Sequence, residues 1–242
     1  MKRSEINHAI EYVMKKLEEA KFPLPPFAFY TPEDWKKADE SEQEIVDNML
    51  GWDVTDFGEG DFKNIGLTVF TFRNGNFHDK KKYPKPYAEK MLYVMDGQIL
   101  PYHYHWYKGE DIINRGGGEL EITLYNCSPE DFADQEGGRG GKQGTFLDTD
   151  VEAVIDGKKQ TLPAGGKVIL KPGQSISVKQ GQYHTWQAVP GKGDIILFEV
   201  SMTNDDHVDN RFYEPKKRIP DVNEDEAVRH LMFADYKDYY LK

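Results

Sequence analysis

Apolar residues recur at three- and four-residue steps through Ile6, Ala9, Ile10, Val13, Met14 and Leu17, while Glu5, Lys15, Lys16, Glu18 and Glu19 fall between them. That period predicts an amphipathic helix with one packed face, and Ser4 stands where a side chain would cap its start. Pro23, Pro25 and Pro26 cannot continue it, so residues 22–27 are expected to form an extended connector. Thr31 followed by Pro32 signals a second helix, and Trp35, Ala38, Ile45 and Met49 give it a looser apolar stripe that Gly51 ends. The opening fifty or so residues therefore read as helical.

From Ile65 onward the period shortens to that of strands. Short runs rich in β-branched and aromatic residues lie at 67–72, 90–94, 120–125, 151–155, 168–170, 175–178 and 195–200. Asn74-Gly75, Asp96-Gly97, Asp156-Gly157, Pro172-Gly173 and Pro190-Gly191 separate them as turns. Many short strands at this spacing predict a sandwich or a barrel. Two glycine-rich stretches, 116–118 and 137–144, neither follow a strand nor open a helix, so they read as surface turns rather than phosphate loops. The tail is mixed, with a short helix expected at 224–233. These signals predict a single domain over 1–242, divided into a helical segment (1–60), a β-barrel (61–214) and a C-terminal extension (215–242).

Composition narrows the partners. The hydrophobic fraction of 38% is enough to build a core, and the net charge of -11 repels phosphate backbones and anionic membranes, so neither nucleic acid nor membrane is expected as a partner. The basic run Lys80-Lys81-Lys82 reads as a solvated loop. Cys127 is the single cysteine, which excludes an intramolecular disulfide. No apolar run approaches the ~20 residues of a membrane helix, and residues 1–20 do not resemble a signal peptide, so a reducing cytoplasm is the expected compartment.

Chemistry gathers around Tyr102-His103-Tyr104-His105-Trp106. In a strand both imidazoles would project from one face and Tyr104 from the other. Glu110 follows five residues later, far enough for the chain to turn a carboxylate back beside them. Imidazoles with a carboxylate suit Mn, Fe, Co, Ni or Zn. The run from Gly97 to Gly117 resembles the first cupin motif, with a glycine, five residues, His-x-His, four residues, Glu, six residues and a glycine all matched. Gly173, Gly181 and His184 fit the second motif, although Lys179 stands where proline is usual and Ala188 where asparagine is usual. The resemblance implies that His103, His105, Glu110 and His184 bind one divalent metal. It also implies a mainly β fold, the cupin double-stranded β-helix or jelly-roll barrel, with the N-terminal helices packed outside. His8, His78, His207 and His230 lack such partners and read as surface or packing residues.

Longer blocks narrow the resemblance. Leu24-Pro25-Pro26-Phe27, Leu50-Gly51-Trp52-Asp53-Val54-Thr55, Arg73-Asn74-Gly75, Tyr87-Ala88-Glu89-Lys90, the run from Glu110 to Gly118, and Asn204-Asp205-Asp206 are similar to the D-lyxose isomerases. Stretch 137–144 looks like an insertion relative to that family. The family resemblance implies interconversion of D-lyxose with D-xylulose, and of D-mannose with D-fructose. It implies a small free monosaccharide as partner, one metal per subunit with Mn2+ first and Fe, Co or Zn able to replace it, and a homodimer. Such a reaction needs a metal at two adjacent oxygens and an acid/base beside the carbons.

Glu199 is the candidate base, because a carboxylate inside a late barrel strand is costly unless it has a job or an ion-pair partner. Lys108 and Lys90 are candidates to stabilise charge on substrate oxygens, and Asp206 and Arg211 to hydrogen-bond sugar hydroxyls. Trp106 and Trp186 flank the ligands and could offer an apolar face to the sugar. Two rivals share the ligand set, an Fe(II)-dependent cupin oxygenase and a non-catalytic sugar-binding cupin.

Overall fold

The computed structural model describes residues 1–240 of the 242-residue chain. Its strands, in chain order, are β1 (Gly51–Thr55), β2 (Leu67–Arg73), β3 (Tyr87–Val94), β4 (Ile99–His105), β5 (Glu110–Gly117), β6 (Leu120–Cys127) and β7 (Phe146–Leu147). Then follow β8 (Val151–Ile155), β9 (Lys158–Leu162), β10 (Gly166–Leu170), β11 (Ser175–Val178), β12 (Gln182–Ala188), β13 (Ile195–Met202) and β14 (Asn210–Phe212). They form two antiparallel sheets, β1-β2-β3-β13-β5-β11-β8-β9 and β10-β6-β12-β4-β14, with β7 paired to β6. All seven strand runs expected from the pattern are present, in a jelly-roll barrel.

Period-two alternation sorts the interior from the exterior. On β13, Ile195 and Leu197 enter the central apolar cluster with Val69, Leu92, Ile112 and Leu124, whereas Phe198 turns outward. On β3, Leu92 and Val94 point in while Met91 and Tyr93 point out. Helix α1 (Arg3–Glu19) covers that outer face, burying Ile6, Ile10, Val13 and Leu17 against Trp52, Phe70, Met91 and Phe198. Each such side chain contributes about 1.5–3 kcal/mol on full burial, which is why the helix docks rather than frays. The barrel interior is left mainly to β-strand side chains, including the polar pair Lys90 and Glu199, which face each other across β3 and β13.

The ends depart from expectation. Lys2, not Ser4, precedes α1; Ser4 instead bonds Asp225 through its backbone N–H (2.9 Å) and its hydroxyl (2.7 Å). The carboxylates of the tail are engaged in this way, with Arg3 bidentate to Glu224 and to Asp235, so the helix expected at 224–233 does not form. Thr31 does cap a helix, but α2 (Pro32–Trp35) is a single turn and α3 (Gln43–Asp47) follows separately. Strand β1 lies inside the segment expected to be helical, so the sheet starts at Gly51 rather than after residue 60. The stretch 137–144 is also not a plain turn, since α4 (Pro129–Ala133) is followed directly by α5 (Gln135–Arg139). The last helix among the described residues is α6 (Tyr236–Tyr239), whose Tyr236 packs on Trp35. No helix among the described residues is long and apolar enough to cross a membrane.

Candidate active site

Strands β4 and β12 are neighbours in register, with His184 directly opposite His103 and their rings 4.1 Å apart. His105 lies two residues further along β4, and Glu110 opens β5 from the facing sheet. One ligand atom from each of these four buried residues falls within 4.8 Å of the others. The tautomers follow from the backbone. Nδ1 of His103 meets the carbonyl of Pro101 (3.0 Å), that of His105 the carbonyl of Asp209 (3.1 Å), and that of His184 the carbonyl of Gln182 (3.0 Å). A carbonyl only accepts, so each Nδ1 carries the proton and each Nε2 offers a lone pair to the centre.

The consequence is sharpest between His184 Nε2 and Glu110 Oε1, which face each other at 3.1 Å while neither has a hydrogen-bond donor. Two buried lone pairs that close are costly unless a cation lies between them. The donor set therefore fits one divalent metal, and three imidazoles with a carboxylate leave positions free for substrate. Burial, reinforced by His184 and His105, holds the His103 imidazole well below its usual pKa. Burial works against the Glu110 carboxylate, yet Lys108 and His105 outweigh it and keep the group well below the carboxylate range.

Beside the tetrad lies a chain of alternating charges. Lys108 Nζ is 2.7 Å from Glu110 Oε2 and 2.5 Å from Glu199 Oε1, and the Ser201 hydroxyl donates to the same Glu199 oxygen at 2.8 Å. Lys90 Nζ is 3.8 Å from Glu199 and 3.2 Å from Asp206. Burial alone would raise the Glu199 pKa, but Lys108 and then Lys90 lower it, so the carboxylate is ionised. Both lysines are buried rather than solvated.

Lys90, Lys108, Glu110, Glu199 and Asp206 line one cavity together with the apolar side chains Val69, Leu92, Leu100, Trp186 and Phe212. Asn210 and Arg218 also line it. Trp186 stacks on His184 with ring centres 5.6 Å apart, and its Nε1 has no hydrogen-bond partner.

The structure corrects two expected positions. Arg211 lies opposite Tyr104 in the β14/β4 register, whereas Asn210 and Phe212 lie opposite His105 and His103. Alternation thus sends Arg211 to the outer face of the sheet, where it bonds Asp131 (2.5 and 2.9 Å) and the carbonyl of Lys142 (2.6 Å). Trp106 likewise packs with Tyr104 and Tyr183, its Nε1 donating to the Phe132 carbonyl at 3.2 Å.

The guanidinium actually present in the cavity belongs to Arg218, held by Asp53 and Asp206 at 2.6 Å each. Arg218 falls in the presumed extension, where no period or motif marks it. Asp209 was also missed. It accepts from the backbone N–H of Tyr107 (2.7 Å) and Lys108 (3.3 Å), while its carbonyl orients His105. Its proximity to the Asn204-Asp205-Asp206 block is the one signal that could have drawn attention to it.

Residues 1–236 match the family model described as D-lyxose isomerase. The chain is 40% identical over 240 residues to the D-lyxose/D-mannose isomerase of Escherichia coli O157:H7, covering 99% of this chain and 100% of that one. It is also 40% identical over 237 residues to the protein of the same name from Serratia proteamaculans, covering 98% of each. Among solved structures, the Cellulomonas parahominis L-ribose isomerase with L-psicose superposes with a TM-score of 0.57 at 13% identity, over 92% of this chain and 98% of that one. At that identity it supports the fold alone.

Proposed function

This chain belongs to the D-lyxose isomerase family and is a sugar isomerase, and on that premise we propose that it interconverts D-lyxose with D-xylulose and D-mannose with D-fructose by proton transfer through an enediol. The observation that carries the mechanism is Lys108, whose ammonium joins Glu110 of the tetrad to Glu199 inside one cavity.

His103, His105, Glu110 and His184 would hold one divalent ion, Mn2+ being our assignment, and when bound it would supply Lewis acidity to the carbonyl and hydroxyl oxygens at C1 and C2. Glu199, kept ionised by Lys108 and Lys90, removes the proton from C2 of the aldose and returns it to C1, while the hydroxyl proton of O2 passes to O1 so that the carbonyl ends at C2. In the reverse direction it takes the proton from C1 and delivers it to C2. Lys108 supplies positive charge beside Glu199 as negative charge develops on the substrate oxygens. Lys90, Asp206 and Arg218 offer donors and acceptors to the remaining hydroxyls, while Trp186 and Phe212 give the carbon chain an apolar wall.

The test is a panel of free sugars incubated without oxygen and with single divalent metals. Ketose should form from D-lyxose and D-mannose, with solvent deuterium entering C1 or C2. Turnover only with Fe(II) and dissolved oxygen would instead establish the oxygenase, and complete retention of substrate hydrogen would point to hydride transfer or to a proton shielded from solvent. Glu199→Gln should lower kcat by about 10²–10⁴-fold.

A further inference from the structure

The short helix α5, at the start of the glycine-rich stretch 137–144, packs against the site from outside, and its last residue, Arg139, spans two loops. The Arg139 guanidinium donates to the Tyr107 hydroxyl (2.9 Å) and to Gln135 Oε1 (3.0 Å), while its Nε reaches the carbonyl of Val208 (3.3 Å). It also sits 5.1 Å over the Trp106 ring. The Tyr107 hydroxyl in turn donates to Gln135 at 2.6 Å. Position 138 must be glycine for this contact, because a Cβ there would come within 2.7 Å of Arg211 Cδ and 2.8 Å of Trp106 Cζ2.

The two loops so joined carry the chemistry. One contains Trp106, Tyr107 and Lys108; the other contains Asp206, Val208 and Asp209. From the inner side Asp209 already ties them, accepting from the amides of Tyr107 and Lys108. We infer that Arg139 is a positioning residue: it clamps the outer side of these loops, fixing the backbone from which Lys108 reaches Glu199 and Asp206 reaches Lys90. A planar fork over an aromatic ring suits that task, since it makes several bonds in fixed directions and lysine does not. Arg139 itself is exposed and touches no part of the cavity that would hold the sugar carbons.

The inference rests on the roles given above to Lys108 and Asp206 for its effect on rate, but not for its effect on loop motion. Two measurements on metal-loaded full-length protein therefore separate them. With Arg139→Ala, kcat should fall about 10-fold or more, as misplacement of a reacting group by a fraction of an ångström does. KM should change less than about threefold, and bound metal should be unaltered. Amide hydrogen exchange should quicken at 107–108 and 205–209 and nowhere else in the barrel. Tyr107→Phe should give a similar loss, and the double variant should be no worse than the poorer single one. Gly138→Ala, which lifts the helix while keeping the guanidinium, provides an independent second perturbation with the same expected signature.

Unchanged exchange in Arg139→Ala would overturn the clamp whatever the rate. Quickened exchange with kcat within twofold of the wild type would overturn the link from clamp to turnover, and the role given to Lys108 would then need testing by its own substitution.

Discussion

Lys108 Nζ lies 2.5 Å from Glu199 and 2.7 Å from Glu110, so one buried ammonium serves both the carboxylate of the metal tetrad and the carboxylate assigned as acid/base. Its pKa is raised because the attraction of Glu110 and Glu199 outweighs the burial that opposes the charge. Removing it with Lys108→Met would leave two carboxylates buried without their shared counter-charge, which costs about 3–5 kcal/mol when one partner of a buried pair is lost. We expect kcat to fall at least about 100-fold and the denaturant midpoint to drop with it. Lys108→Arg should not restore turnover, because a planar fork does not fit where a point charge touches two oxygens. Full activity in either variant would refute the shared role.

The opposed lone pairs of His184 Nε2 and Glu110 Oε1 make a second prediction. A divalent ion should stabilise the fold as well as activate it, because the repulsion exists only in the folded protein. At about 100 times its dissociation constant a bound ion adds about 2.7 kcal/mol. Thermal unfolding after exhaustive chelation should therefore occur at a lower temperature and recover on adding Mn2+. His184→Ala should abolish the recovery. A melting temperature indifferent to chelator and metal would show that the tetrad is not a metal site.

Much of this was readable from period and spacing. Glu199 could be placed inside the barrel because a strand has period two and its neighbours Leu197 and Phe198 divide cleanly between core and helix-facing sides. The tetrad was readable through the resemblance to the two cupin motifs, since His103 and His105 alone mark only one face of a strand and nothing local ties them to His184. Arg211 was not, since its face depends on the register of a three-residue strand against β4, and a shift of one residue inverts every side chain. Arg218 was hidden for another reason. It enters the site from an irregular tail whose path is set by partners far away in sequence, Asp53 and Asp206, and no local pattern records such a path.

The exchange of roles between the two arginines is itself testable. Arg211→Ala strands the buried Asp131 carboxylate on the outer face, so it should destabilise by about 3–5 kcal/mol while leaving the KM of folded enzyme within about twofold. Arg218→Ala opens the cavity wall between Asp53 and Asp206 and should raise KM for D-mannose and D-lyxose by about tenfold or more, equivalent to losing roughly one charged hydrogen bond of 1.5–3 kcal/mol. Because Arg218→Ala also strands the buried Asp53 carboxylate, both variants should lose stability and KM in steady-state kinetics separates them; a raised KM in Arg211→Ala with none in Arg218→Ala would restore Arg211 to the sugar site.

A last prediction concerns Asp205, which His78 and His207 grip from either side at 2.8 Å. Burial alone would raise its carboxyl, but the hydrogen bonds from the His207 side chain and backbone outweigh it and bring the pKa down from 3.8 to about 2. A depressed folded-state pKa means that the folded protein resists protonation more than the unfolded chain does. The stabilisation is thus complete above the unfolded value and is lost as pH falls from about 4 toward 2, amounting to about 2 kcal/mol at 1.36 kcal/mol per pH unit. His207 has the opposite sign. Its pKa is raised, chiefly by the bond to Asp205, so its contribution is full below the unfolded value near 6.5 and disappears as pH rises through the folded one. The pair should therefore stabilise most between about pH 4 and 6.5. Denaturant unfolding of the wild type and of Asp205→Asn should differ most at pH 5.5, less at pH 8 and least near pH 2. A difference that stays constant across that range would mean Asp205 acts by packing alone, with no linkage to its imidazole partners.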